Sequence, residues 1–117
     1  MNVAFEYRYR DLGNFKNYNS VVFANELGLP SEKIDNTLLE LTGPERLFFA
    51  ADHGLPEMFF KDFRYDPELD WGMHEYLGAS STDAPSDDRE GRDISDLLSG
   101  WTVAANTGEK QRYLFGR

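Results

Sequence analysis

The chain contains no cysteine, and that absence excludes disulfides, thiolate zinc sites and cysteine nucleophiles. It also lacks any run near the ~20 apolar residues that a membrane-spanning helix needs. The opening Met1-Asn2-Val3-Ala4-Phe5-Glu6 has neither the basic flank nor the apolar block of a signal peptide, so a cytoplasmic location is the expectation. Basic residues are scarce too: 12 Lys and Arg stand against 21 Asp and Glu, for a net charge of −9. Nucleophile and phosphate-binding motifs are missing. There is no G-x-S-x-G, no Walker loop and no G-x-G-x-x-G after a strand.

Aromatic residues are abundant: nine Phe, six Tyr and two Trp in 117 residues. Rings that each bury roughly 150–250 Å² can close a core in a chain this short. One domain over 1–117 follows, with little material for a second.

Charge is unevenly placed. From Asp62 to Asp96 the chain has eleven acids and three bases, a net of −8, which leaves only −1 for the rest. A field of that sign repels phosphate backbones and argues against direct nucleic-acid binding. It suits a basic protein partner.

Val3, Phe5, Tyr7 and Tyr9 alternate with Glu6, Arg8 and Arg10, the period of a half-buried strand. A second strand is predicted over Ser20–Asn25. It pairs with the first as an antiparallel hairpin whose loop carries Phe15, Lys16 and Tyr18. Ser31 is the expected N-cap of a helix with Ile34, Leu38 and Leu41 on its apolar stripe, stopped at Thr42-Gly43-Pro44. Further strands are expected over Leu47–Ala51 (with helix the competing reading), Glu57–Phe63 and Trp71–Ser80.

Residues 81–92 read as a mobile acidic loop. Asp93 is placed to cap a short helix with Ile94, Leu97 and Leu98 on its apolar face, ended by Gly100. Residues 101–117 read as a C-terminal hairpin or an arm packed on a neighbour. The fold class is therefore α+β: a mainly antiparallel sheet of about five strands with one or two short helices on one face.

The runs Tyr9-Arg10-Asp11, Asn14-Phe15-Lys16, Val21-Val22-Phe23-Ala24-Asn25, Gly54-Leu55-Pro56-Glu57, Phe59-Phe60 and His74-Glu75-Tyr76 resemble a group of small acidic bacterial proteins with no assigned activity. The resemblance covers roughly the first 98 residues. It implies no functional residue, and the segment after Gly100 is an addition to the shared pattern.

His53 and His74 are the only histidines. A metal-dependent or catalytic protein would need their rings to converge, with Asp52 or Asp70 as a third ligand. On a strand His74 and Glu75 point to opposite faces and cannot act together. Asp66, Glu68 and Asp70 have the opening spacing of an EF-hand. However, Trp71 and Leu77 stand where that loop needs Gly and Glu, and Pro67 occupies its second position, which excludes the motif.

No cofactor is indicated. The reading adopted is an acidic protein-binding module, an inhibitor of the immunity, antitoxin or anti-defence type. Asp66, Glu68, Asp70, Asp87, Asp88 and Glu90 are its candidate contacts with a basic or nucleic-acid-binding partner. A self-assembling subunit is the third class, and it should lose its oligomeric state on deletion of Trp101–Arg117.

Overall fold

A computed structural model describes residues 1–10, 14–59 and 72–107, with only the backbone of 105–107. Its elements in chain order are strand β1 (Asn2–Arg10), strand β2 (Lys16–Phe23), helix α1 (Ser31–Thr42), strand β3 (Leu47–Phe48), a 3-10 helix (Ala50–His53), strand β4 (His74–Thr82) and helix α2 (Ile94–Thr107). The four strands form one antiparallel sheet in the order β2-β1-β4-β3. The class is α+β, with four strands among the described residues where the periodicity suggested about five.

The alternation in β1 sets the layers. Val3, Phe5, Tyr7 and Tyr9 are all buried on one face. Opposite Val3 and Phe5 stand Phe23 and Val21 of β2. This inner face joins Ile34 and Leu38 of α1 and Ile94, Leu97 and Trp101 of α2 in one core. Glu6, Arg8 and Arg10 take the outer face. There Arg8 and Arg10 both donate to Oε1 of Glu75 at 3.2 Å. Glu75 and His74 indeed diverge, the first into this ion pair and the second into the core.

Between Glu6 and Tyr7 the register slips: Tyr7 faces Tyr76 but Glu6 faces Gly78, so Leu77 is the extra residue of a β-bulge. Beyond it Ala79, rather than an even-numbered residue, lies across from Phe5.

Several expectations shift. Strand β2 begins at Lys16, so Lys16 and Tyr18 are strand residues rather than loop. Ser31 is the first helical residue and not the cap. Pro30, in extended conformation, holds the cap position and has no side-chain bond to offer. Its fixed φ suits the entry to a helix, and its carbonyl takes the Ile34 amide at 3.1 Å. Gly43, at φ 79°, closes α1 as expected.

Only Leu47 and Phe48 of the run to Ala51 pair as a strand. Ala50 to His53 coil into the 3-10 helix instead. Nothing there is β-branched, and Gly54 at φ 67° caps it through bonds to Ala50 and Ala51 carbonyls. Residues 57–59 are not a strand, and 60–63 lie outside the described residues. Strand β4 starts three residues later than Trp71 and runs on through Ser81 and Thr82.

The largest revision concerns the C-terminal part. Asp93 does cap α2, its Oδ2 accepting the Ser95 amide at 3.0 Å. The helix then passes through Gly100 to Thr107, so residues 101–107 are helix and not hairpin or arm. Gly100 costs about 1 kcal/mol in a helix interior. That is outweighed by Trp101, which is 1% exposed and whose burial contributes several times as much. Deleting Trp101–Arg117 would therefore remove core, and a truncation test of self-association has to keep Trp101.

Candidate functional site

The segment after β4 is tied down along its length, with Asp87, Asp88, Arg92 and Asp93 as its anchors. As the last strand in the sheet order, β2 would otherwise leave a row of backbone groups open. Asp87 closes part of it. Its Oδ1 accepts the Val22 amide at 2.7 Å, and its own amide donates to the Val22 carbonyl at 2.9 Å. Asp93 continues the seal, pairing with Ala24 as an isolated bridge and accepting the Glu26 amide at 2.7 Å.

Asp88 is bound to Arg92, which grips both of its oxygens at 3.0 and 3.1 Å. The Asp88 side chain is only 2% exposed. Burial alone would raise its pKa. The Arg92 guanidinium and amide outweigh that and hold it below the usual carboxylate range. Arg92 also donates to the His53 carbonyl at 2.7 Å and lies 5.5 Å above the Phe23 ring. It thereby joins the loop, the 3-10 helix and β2. Gly54 stands at φ 67°, a left-handed conformation that residues with a Cβ rarely adopt, which is what glycine supplies here.

The acidic loop is thus hydrogen-bonded to the body of the domain through Asp87 and Asp88, of which Asp87 stays exposed. Glu90 is exposed, with a 3.8 Å contact to Arg92. Asp66, Glu68 and Asp70 lie outside the described residues. The residues that organise this region, Arg92 and Gly54, were missed from the sequence. Their only signal is the four-residue spacing of Asp88 and Arg92, common on any solvated helix.

From residue 83 to residue 96 stand six acids and two bases. Arg92 is half-buried and bonded as described, whereas Arg89 is exposed, its Nε donating to the Gly54 carbonyl at 3.2 Å. Asp83, Asp87, Glu90 and Asp96 remain exposed. The outward face of this segment thus carries four carboxylates against the single guanidinium of Arg89.

The two histidines are core residues, 4% and 0% exposed. Both pack on Phe48, with ring centroids 6.2 and 6.1 Å away. His53 then stacks flat on Trp101 at 3.6 Å, whereas His74 is surrounded by Tyr7, Tyr9 and Phe59. They share a neighbour but no direct ring contact. Among the described residues no group of three or more His, Asp or Glu is placed to hold a metal ion.

Nε2 of His74 accepts the Met58 amide at 2.8 Å. The Met58 carbonyl takes Nδ2 of Asn17, and the Pro56 carbonyl takes the Tyr7 hydroxyl. Side chains of three strands thus hold residues 56–58 against the inner face.

A neutral ring that accepts at Nε2 carries its proton on Nδ1, and that atom is buried with no hydrogen-bond partner. The Gly72 carbonyl favours a proton there without forming an aligned bond. Burial therefore dominates and lowers the His74 pKa to about 4.

The sign follows from linkage. Unfolded, the imidazole titrates near 6.5, so between about pH 6.5 and 4 the unfolded chain binds the extra proton and stability falls as pH drops. The expected loss is about 2.5 kcal/mol by pH 4.5. Urea unfolding at pH 7 and 4.5 should show it in the wild type. His74→Gln keeps an acceptor for Met58 but cannot titrate, and it should lack that component. Equal pH slopes in the two proteins would refute the assignment.

Compared with known proteins, the chain matches no family model, no curated protein and no solved structure. The architecture defines its class: a small α+β domain whose antiparallel sheet carries two helices on one face and an acidic strap along one edge. No helix among the described residues is long and apolar enough to cross a membrane.

Proposed function

We propose that this chain is a non-enzymatic protein-binding module that docks its acidic segment on a basic surface of another protein, in the manner of an inhibitor. One observation carries the reading: between residues 83 and 96 Arg92 is half-buried on Asp88 and the His53 carbonyl, while Asp83, Asp87, Glu90 and Asp96 stay exposed against one exposed base, Arg89. A surface of that kind steers association and imposes specificity through charge. A partner that normally grips nucleic acid fits it well, because fixed carboxylates can occupy positions meant for phosphates. Immunity, antitoxin and anti-defence proteins are the functional types with this profile.

The test is capture of a basic partner from host lysate by the tagged protein at low and moderate salt. The comparison is an Asp83→Lys/Glu90→Lys variant, since neither residue anchors the fold. The expected result is one stoichiometric basic protein, retained at low salt, released by salt and absent with the variant. Equal capture by the variant, or retention indifferent to salt, would overturn the proposal.

A further inference from the structure

Among the described residues the seal on the β2 edge is incomplete, and the open part has a defined length. Val22 directs its amide and carbonyl away from β1, because both are bonded to Asp87. In an antiparallel strand the same direction recurs every second residue, so Ser20, Tyr18 and Lys16 also point theirs outward. Among the described residues no strand lies beyond β2 in the sheet, and no backbone bond from them reaches these three positions from that side. The free edge is bounded at one end by the start of the strand at Lys16. At the other end Asp87 occupies Val22. Its midpoint is Tyr18, 58% exposed.

We propose that this edge pairs with the same edge of a second copy, antiparallel about a two-fold axis at Tyr18, to make a continuous sheet across two chains. The bounded edge admits one full-length register, with Tyr18 facing Tyr18 and Lys16 facing Ser20 of the second copy. No like charges are then directly opposed on the paired strands.

Charge supports the same register. Ser20 pairs with Glu6 within each chain, so Lys16 looks across Ser20 of the second copy to that copy's Glu6, two strands or about 10 Å away. Lys and Glu side chains span that distance, and symmetry makes the pair twice. Both residues are exposed, and neither has a salt bridge among the described residues. The two Tyr18 rings meet at the axis, each already held beneath its own Arg8, whose guanidinium lies 5.8 Å from the ring centre. The interface is short and has one apolar anchor per chain, so association is expected in the micromolar range. It adjoins the acidic segment at Asp87 but uses different residues, Lys16 to Ser20 and Glu6, and does not rest on the proposed function.

Sedimentation equilibrium of the full chain up to about 1 mM tests it. The wild type should show reversible dimerisation. Lys16→Glu should raise the dissociation constant at least about fivefold, with Lys16→Gln in between. The exchange Glu6→Lys/Lys16→Glu should restore it. Ser20→Pro removes the outward amide at a position where an edge strand tolerates proline, and it should abolish the dimer while thermal unfolding confirms a folded chain. Asp83→Lys/Glu90→Lys should dimerise normally. A wild type monomeric throughout the range, an unaffected Lys16→Glu protein, or failure of the charge exchange to restore association would overturn the proposal.

Discussion

Trp101→Ala is expected to lower stability by about 4 kcal/mol, the range found for removing a large buried ring. In a domain of this size that corresponds to roughly 20 °C in Tm. Trp101 is 1% exposed and stacks flat on His53. Its ring also approaches Phe5 at 6.0 Å and Phe48 at 5.2 Å. It is the residue through which α2 enters the core built on β1 and β3, so the void left behind is bordered by rings from three elements that cannot all move in. Trp101→Phe keeps an aromatic stack and should cost less than half as much. Urea unfolding followed by far-UV circular dichroism measures both. A loss below about 1 kcal/mol for the alanine variant would show that α2 docks without this side chain, and the placement of residues 101–107 would have to be revised.

The second large effect is expected at Arg92. Arg92→Met preserves much of the side chain's apolar stem but leaves Asp88 buried without its counter-charge. Breaking such a pair from one side costs about 3–5 kcal/mol, and the present one is partly exposed through Arg92, at 18%, so about 3 kcal/mol is expected. Two further results separate this cause from simple loss of packing.

Adding Asp88→Asn to Arg92→Met should recover part of the loss, since no carboxylate then lies buried. The cost of Arg92→Met should also shrink as pH falls. In the wild type, burial raises the Asp88 pKa but Arg92 holds it below its ordinary value, so its stabilisation is present above pH ~4 and is lost as pH falls through the folded-state pKa. Without Arg92 the burial contribution is unopposed and the carboxyl protonates sooner in the folded protein, which relieves the penalty. A pH-independent cost would mean that Asp88 is not the group responsible.

These two side chains mark where sequence reasoning succeeds and where it stops. The alternation of Val3, Phe5, Tyr7 and Tyr9 against Glu6, Arg8 and Arg10 was enough to assign β1, its faces and its hairpin partner, because a period of two survives only if one side is buried. The stripe Ile34, Leu38 and the stop at Gly43 likewise assigned α1. The acidity of the region around residues 83–96, and the absence of nucleophile and phosphate motifs, are properties of composition. They can be read before any fold is known.

Elsewhere local preference pointed one way and packing the other. Gly100 reads as a helix stop, and only the slot between His53, Phe48 and Phe5 makes continuation through Trp101 favourable. Leu47 to Ala51 is apolar enough for a strand, yet Gly54 and the carbonyls that Arg89 and Arg92 engage turn residues 50–53 into a 3-10 helix.

The acids of the loop look interchangeable in sequence. Their roles are decided by what lies opposite them. Asp87 seals an edge strand 65 residues away, Asp88 meets a guanidinium at the end of a shared turn, and Asp83 and Glu90 face outward. Pattern and composition are local quantities and can be read along the chain. Partnership across 39 or 82 residues, as between Arg92 and His53 or Asn2 and Ala84, depends on which surfaces the fold brings together, and only the tertiary structure decides that.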